Sequence, residues 1–260
     1  MAAAPVFREV PVKAIMTNLK DFIQEELNKR KRVYQESPAY ILEHYNSEQK
    51  NIQAYNGRQL LEMLQNADDA SEIAKEKKVW IKLNGKKLII TNNGEPFSEP
   101  GFRSIIYSDF SPKTMQPKKI WQKGLGFRSI LSWADEVIIN SGGTKIGFSE
   151  KIAQTFLKEL IKESPTVSDF IKKNSKAELP IATLRVPHLI TDIEEATNNF
   201  DTVISIKLKD NVQNDVQSQI LSIINKETLL FLNHIDAIEI DSPRRKITFK
   251  KKVVGNRVIV

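Results

Sequence analysis

Arg58-Gln-Leu-Leu-Glu-Met-Leu-Gln-Asn-Ala-Asp-Asp-Ala70 holds two patterns in one stretch. Glu62, Asn66 and Asp69 stand at i, i+4 and i+7, so at about 3.6 residues per turn their side chains share one narrow helical face. Leu60, Leu64 and Ala67 repeat the same spacing one register away and form an apolar stripe that can pack inward. A merely solvated face would mix Lys with Glu and would not place Asn, a poor helix former, at its middle. Two carboxylates and an amide at this spacing suit a hard cation and a water-activating base. The helix is expected to run to about Lys77, its last turns rich in lysine as a helix C-terminus favours.

Working outward, Val79-Trp-Ile-Lys-Leu83 and Lys87-Leu-Ile-Ile-Thr91 read as strands around Asn84-Gly85, a two-residue hairpin turn with positive φ expected at both positions. The second strand runs into Asn92-Asn-Gly-Glu-Pro-Phe97. Residues 98–123 read as a long polar segment with a short helical piece, Phe102 to Tyr107, and a segment of that length is commonly a functional lid. Gln122-Lys-Gly-Leu-Gly-Phe-Arg-Ser129 is a glycine turn opening a helix. Further strands are expected at Glu136–Asn140, Thr144–Phe148, Ile181–Val186, Thr202–Leu208, Ala237–Ile240 and Lys246–Phe249. Val212 to Ile224 reads as an amphipathic helix continued by Leu229–Leu232, and residues 149–178 as a polar, insertion-like block, helical or irregular, with a break at Pro165. Upstream, residues 1–16 form an arm, Thr17–Tyr34 a helix, Ser37-Pro38 a break, Ala39–His44 a short helix, and Asn46–Asn51 a polar link. Close hairpins alternating with helices predict an α+β fold, a two-layer sandwich with a mixed, mainly antiparallel sheet and helices on one face. Residues 1–55 are assigned to an N-terminal arm with helices and 56–260 to the main domain.

The 260 residues suffice for a large core. No run approaches a membrane span, and Met1–Val10 lacks a secretory signal, so no membrane and a cytoplasmic location are expected. With no cysteine, disulfides, thiolate metal sites and cysteine nucleophiles are excluded. The net charge of +7 admits an acidic partner, nucleotide or nucleic acid. Its densest cluster, Arg244 to Lys252, alternates with Ile247, Phe249 and Val253 and reads first as a surface strand. His44, His188 and His234 have no metal-ligand spacing.

Each candidate segment is weak alone. Gly94 lets the backbone approach a ligand, and Gly124-x-Gly126 opens a helix N-terminus, where phosphate is favoured. The order of the segments is more specific. Leu60–Ala70, Ile90-Thr-Asn-Asn-Gly-Glu-Pro-Phe97, Gln122–Ser129 and Asp201-Thr-Val-Ile-Ser-Ile206 resemble the N box, the two glycine boxes and the late threonine strand of the GHKL ATPase superfamily. That superfamily groups gyrase, heat-shock chaperone ATPases, histidine kinases and MutL, and the chain looks most like its sacsin-like, chaperone-type bacterial branch.

The resemblance implies a Bergerat-type ATP-binding and slowly ATP-hydrolysing domain, with the lid at about 98–123 and ATP and Mg²⁺ as cofactors. It makes Glu62 the general base, Asn66 the Mg²⁺ ligand, and Asp69 with Ala70 the ribose and phosphate side of the pocket. Asn92 stands where the superfamily usually has an adenine-reading Asp; its amide oxygen can still accept from the adenine amino group. Gly94 and Phe97 would shape the base pocket and Thr202 would support it. Lys113 and Lys123 would contact phosphates, and Gly124, Leu125, Gly126 and Phe127 would close over them. Pro96 replaces a glycine of the first box. Implied partners are ATP/ADP, a second copy of the chain in an ATP-dependent homodimer, and a larger protein or multi-protein complex. Two other readings stand beside this one: a nucleotide-sensing dimerisation module without turnover, and a nucleic-acid-binding component acting through its basic surface.

Overall fold

The computed structural model describes residues 12–107, 124–190, 200–254 and 257–260. The strands β1 (Lys78–Asn84), β2 (Lys87–Asn92), β3 (Ala134–Ser141), β4 (Thr144–Ser149), β5 (Pro187–Leu189), β6 (Thr202–Leu208), β7 (Ala237–Ser242) and β8 (Arg245–Lys250) form one sheet in the order β5-β4-β3-β6-β2-β1-β7-β8. Only β1 and β7 pair in parallel; every other neighbouring pair is antiparallel. Val79, Ile81 and Leu83 are buried while Lys78, Trp80 and Lys82 are half-exposed, so one face of β1 meets the core. β7 repeats the alternation. This is the pattern of a sheet covered by helices on one side, and it makes the fold the expected α+β two-layer sandwich. A separate hairpin, β9 (Lys252–Val254) with β10 (Arg257–Ile259), follows the sheet.

The helices are α1 (Val12–Glu36), α2 (Ala39–Ala54), α3 (Gln59–Ala70), α4 (Glu99–Ile106), α5 (Gly124–Phe127), α6 (Glu150–Glu163), α7 (Pro165–Asn174), α8 (Gln213–Ser222) and α9 (Lys226–Phe231). The main core joins Phe22 and Ile23 of α1, the apolar stripe of α3, Phe102 and Ile105 of α4, and the buried face of the sheet. A second cluster joins Tyr34 and Ile41 to Ala153, Leu157 and Leu160 of α6 and to Val167 and Ile171 of α7. Residues 149–178 therefore take the helical of the two expected forms, and their two helices belong to a core and are not an insertion apart from it.

Several boundaries differ from the sequence reading, each for a physical reason. The Gly85 backbone has φ 57°, and neither Asn84 nor Lys86 is at positive φ, so the β1–β2 turn is Gly85-Lys86 with glycine first. α3 stops at Ala70, well short of Lys77, because the Glu95 N–H donates to the Ala70 carbonyl at 2.8 Å and takes it out of the helical ladder. α9 does not continue α8: Asn225 caps it afresh, its Oδ1 accepting from the Thr228 N–H at 2.8 Å. α1 begins at Val12, inside the expected arm.

The largest departure starts from one acid. The polar link at 46–51 is helical, part of α2, and carries Glu48 into the interior at 1% exposure. Its carboxylate accepts the Thr183 N–H at 2.6 Å and the Leu184 N–H at 3.1 Å. Those donors are thereby withdrawn from any ladder, so Thr183–Arg185 forms a single 3₁₀ turn where a strand is expected. The strand comes just after it, with Pro187 at its first position, a place proline tolerates at a sheet edge.

On that edge His188 pairs with Gly147, where a Cβ would lie 2.7 Å from the imidazole Cε1. Burial pushes the His188 pKa below 6.5 against the opposing pull of Glu136, 3.3 Å away. The unfolded chain therefore takes up the proton first as pH falls, and stability drops below about pH 6.5 until the folded imidazole also protonates. The fall in melting temperature between pH 7 and pH 5 should be shallower in His188→Gln. An unchanged slope would remove His188 from the acid response.

Candidate functional site

α3 is held on three sides. Leu60, Met63, Leu64 and Ala67 bury its stripe in the main core. At its N-terminus, Gln59 Nε2 donates to Asn56 Oδ1 at 3.0 Å and to Ser132 Oγ at 2.8 Å, and Gln219 Nε2 donates to Gln59 Oε1 at 2.8 Å. On its flank the buried carboxylate of Asp68 accepts the backbone N–H groups of Asn233, His234 and Ile235 at 2.9, 2.7 and 2.8 Å. The sequence reading passed over Asp68; its partners lie 165 to 167 residues away, and no local signal marks them.

These supports aim the polar stripe. Glu62, 6% exposed, pairs through Oε1 with the Arg58 guanidinium at 3.1 Å. Its other oxygen lies against Gly126, where a Cβ would sit 2.8 Å from Glu62 Cδ. Glycine at 126 is what allows the second glycine segment to close on this carboxylate. Asn66 and Asp69 are half-buried. With Glu62 they line a cleft of about 410 Å³ whose far wall is Thr228 and Phe231 of α9.

The other end of α3 meets the first glycine segment. Gly94, at φ 137°, packs so closely on the helix end that a Cβ would lie 2.6 Å from the Ala70 carbonyl carbon. Its N–H donates to Asp201 Oδ2 at 2.8 Å. Asn92, Thr202 and Ser141 are adjacent across β2, β6 and β3, and all three are buried. Ser141 Oγ lies 2.6 Å from Thr202 Oγ1 and accepts the Phe97 N–H at 2.9 Å. The Phe97 ring stacks on Phe102 with centroids 5.2 Å apart. Ser141 and Asp201 thus join the candidate set through their bonds to residues already in it.

Gly124–Phe127 forms the short helix α5 and passes into a 3₁₀ segment, Arg128–Ser132; Phe127 is buried. Arg128 ties this segment down. One guanidinium nitrogen donates to the Ile105 carbonyl at 3.0 Å, and another lies 3.9 Å from Glu48. Burial raises the Glu48 pKa, and the Arg128 charge opposes that rise.

Not every expected residue is gathered. Lys113, Lys123 and the part of the 98–123 segment beyond Tyr107 lie outside the described residues. Glu62, Asn66 and Asp69 open into the α3–α9 cleft, whereas Gly94 lines a different recess with Pro96, Ile73 and Asp201. Asn92, Phe97 and Thr202 line neither. Among the described residues no group of three or more His, Asp or Glu could hold a metal. A Mg²⁺ ion bound through one amide oxygen, substrate phosphates and water requires no such group.

Part of the basic C-terminal cluster is engaged in the fold. Arg245 donates to the Ile220, Leu221 and Ile224 carbonyls at the end of α8, Lys251 donates to the Leu232 carbonyl, and Lys246 pairs with Asp241. No helix among the described residues is long and apolar enough to cross a membrane. No protein-family model matches the chain, and no curated protein matches it significantly.

Proposed function

We propose that the chain binds Mg-ATP along α3 and hydrolyses it slowly, with Glu62 as the base that orients water. The observation that carries this reading is that two glycines pack on the two ends of one helix, Gly126 on the Glu62 carboxylate and Gly94 on the Ala70 carbonyl. Eight residues separate the two contacts, about 12 Å along the axis at 1.5 Å per residue. A phosphate end and a base end would then lie at the two ends of the same rigid element.

In this reading Asn66 supplies an amide oxygen to Mg²⁺, which when bound neutralises phosphate charge. Asp69 and Ala70 face the sugar and phosphates. The amide of Asn92 accepts from the base, with Gly94, Phe97 and Thr202 shaping its pocket. Gly124–Phe127 presents backbone N–H groups to the phosphates, as a helix N-terminus can, joined by Lys113 and Lys123. The protein's contribution is positioning and charge neutralisation, which is most of what phosphoryl transfer requires.

Equilibrium titration with Mg-ATP and with metal-free ATP tests the reading. Wild type should bind Mg-ATP, and Asn66→Ala should bind it roughly tenfold more weakly while its affinity for metal-free ATP hardly changes. Absence of ATP binding by wild type would dismiss the reading altogether.

One observation favours the second reading, nucleotide sensing without turnover. Glu62 is already paired with Arg58, and a carboxylate held in an ion pair is less available to a water. That reading keeps the binding residues and drops only the catalytic role.

A further inference from the structure

A second recess, of about 690 Å³, lies between α1, α2 and α4, on the side of α4 opposite to buried Phe102 and Ile105. It shares no lining residue with the α3–α9 cleft. Among the described residues four cations line it, Lys29, Arg30, Arg103 and Arg185, and no carboxylate does, although Arg103 is paired with Glu26 and with Glu99. They come from three separate parts of the chain, so no local sequence pattern announces them.

Arg30 is the unusual member. It is 4% exposed, and its Nε and Nη2 are sealed from solvent with no hydrogen-bond partner among the described residues. Glu26, one turn earlier and itself buried, is occupied: it accepts from Arg103 and from the Tyr107 hydroxyl. What faces the Arg30 guanidinium is aromatic, the Tyr107 ring at 5.1 Å and the Tyr34 ring at 5.8 Å. The Tyr34 hydroxyl meets His44 Nδ1 at 3.0 Å, and burial pushes its pKa up to about 12, so it brings no negative charge at neutral pH. Ring faces attract a cation but do not neutralise it. A buried guanidinium without a hydrogen-bonded counter-ion is normally avoided, because desolvation of the charge is not offset.

The Arg185 side chain is also buried, 3% exposed, and stands 5.9 Å from the Tyr107 ring. Lys29 and Arg103 complete the wall, Lys29 approaching the Tyr107 ring at 5.1 Å. Tyr40, exposed and stacked on His44 at 5.8 Å, adds an aromatic wall. The recess is of ligand size and concave, with a buried guanidinium in its wall that has no hydrogen-bonded counter-ion among the described residues and an exposed lysine beside it. Such a field concentrates a small polyanion.

We propose that this recess is a binding site for a small, multiply charged phosphate ester, separate from the candidate nucleotide site on α3. The bound phosphate supplies a counter-charge that Arg30 lacks among the described residues. Arg30 acts through its field from within the wall, while the exposed Lys29 can meet the phosphate directly.

The test uses inorganic pyrophosphate as probe, titrated calorimetrically against the full chain at two salt concentrations. Wild type should bind, more weakly at the higher salt. Arg30→Met should lose roughly tenfold or more in affinity, while the ligand-free melting temperature holds or rises, since an apolar side chain of similar length relieves the buried charge. Lys29→Gln, an exposed change that leaves the core intact, should weaken binding roughly threefold. Arg58→Gln, which removes the cation beside Glu62 on α3, should leave pyrophosphate affinity unchanged. Retained affinity in both Arg30→Met and Lys29→Gln would overturn the proposal. So would loss of pyrophosphate binding in Arg58→Gln, which would place the anion on α3. Binding of a single-stranded oligonucleotide through Arg30, with no binding of pyrophosphate, would replace a small ligand by nucleic acid.

Discussion

Glu62→Ala is expected to slow phosphate release from ATP by about two orders of magnitude, with Mg-ATP affinity changed by less than about threefold. The expectation follows from the position of the side chain. Glu62 is buried in the first turn of α3, one oxygen on Arg58 and the other against Gly126. A base contributes to the transition state more than to the ground state, so its loss should appear in turnover and not in binding. Single-turnover measurement of phosphate release beside equilibrium binding separates the two. Equal release rates in wild type and variant would remove Glu62 from the chemistry. A wild-type rate no faster than buffer, together with retained binding, would leave nucleotide sensing as the function.

Asp68→Ala should cost about 3 kcal/mol or more of folding stability, read from the shift of a denaturant midpoint at constant slope. The carboxylate is 3% exposed and satisfies three consecutive backbone N–H groups ahead of β7. Removing it leaves the buried Ile235 donor without a partner and takes a charged acceptor from those of Asn233 and His234, and charge-assisted bonds are the stronger kind. Asp68→Asn keeps one amide oxygen and should fall between wild type and Asp68→Ala. A loss under about 1 kcal/mol would mean that the 233–235 segment finds other acceptors or opens to solvent. Adjacent carboxylates thus take different parts: both border the cleft, but Asp68 is buried and taken up in fastening the helix, whereas Asp69 is only half-buried.

The sheet was readable because alternation of apolar and polar residues is a local signal, and β1, β2, β3, β6, β7 and β8 all stand within two residues of where that alternation places them. The stripe on α3 was readable for the same reason, at the helical period. What could not be read is what depends on distant partners. Glu48 sits in a stretch that looks like solvated loop, and only its bonds to Thr183 and Leu184 explain both the length of α2 and the missing strand at 181–186. Ser141 looks like a turn residue until Thr202 and Phe97 are placed on it. The contacts of Gly126 with Glu62 and of Gly94 with Ala70 join residues already singled out, yet no spacing in the chain gives their closeness. Arg30 has no signal at all: in sequence it is one more cation in Asn28-Lys-Arg-Lys-Arg32.

A helix touched by a glycine at each end behaves as a ruler. One residue added or removed between Glu62 and Ala70 turns the far end by about 100° and moves it by about 1.5 Å. The carbonyl now seated under Gly94 would swing off its mark even as the carboxylate stayed on Gly126. Asp68, on the same span, would leave its three donors. Point substitutions on the outer face of this helix are therefore a mild change to the fold, while a single insertion or deletion between residues 62 and 68 disconnects the first glycine segment and the strand entry together.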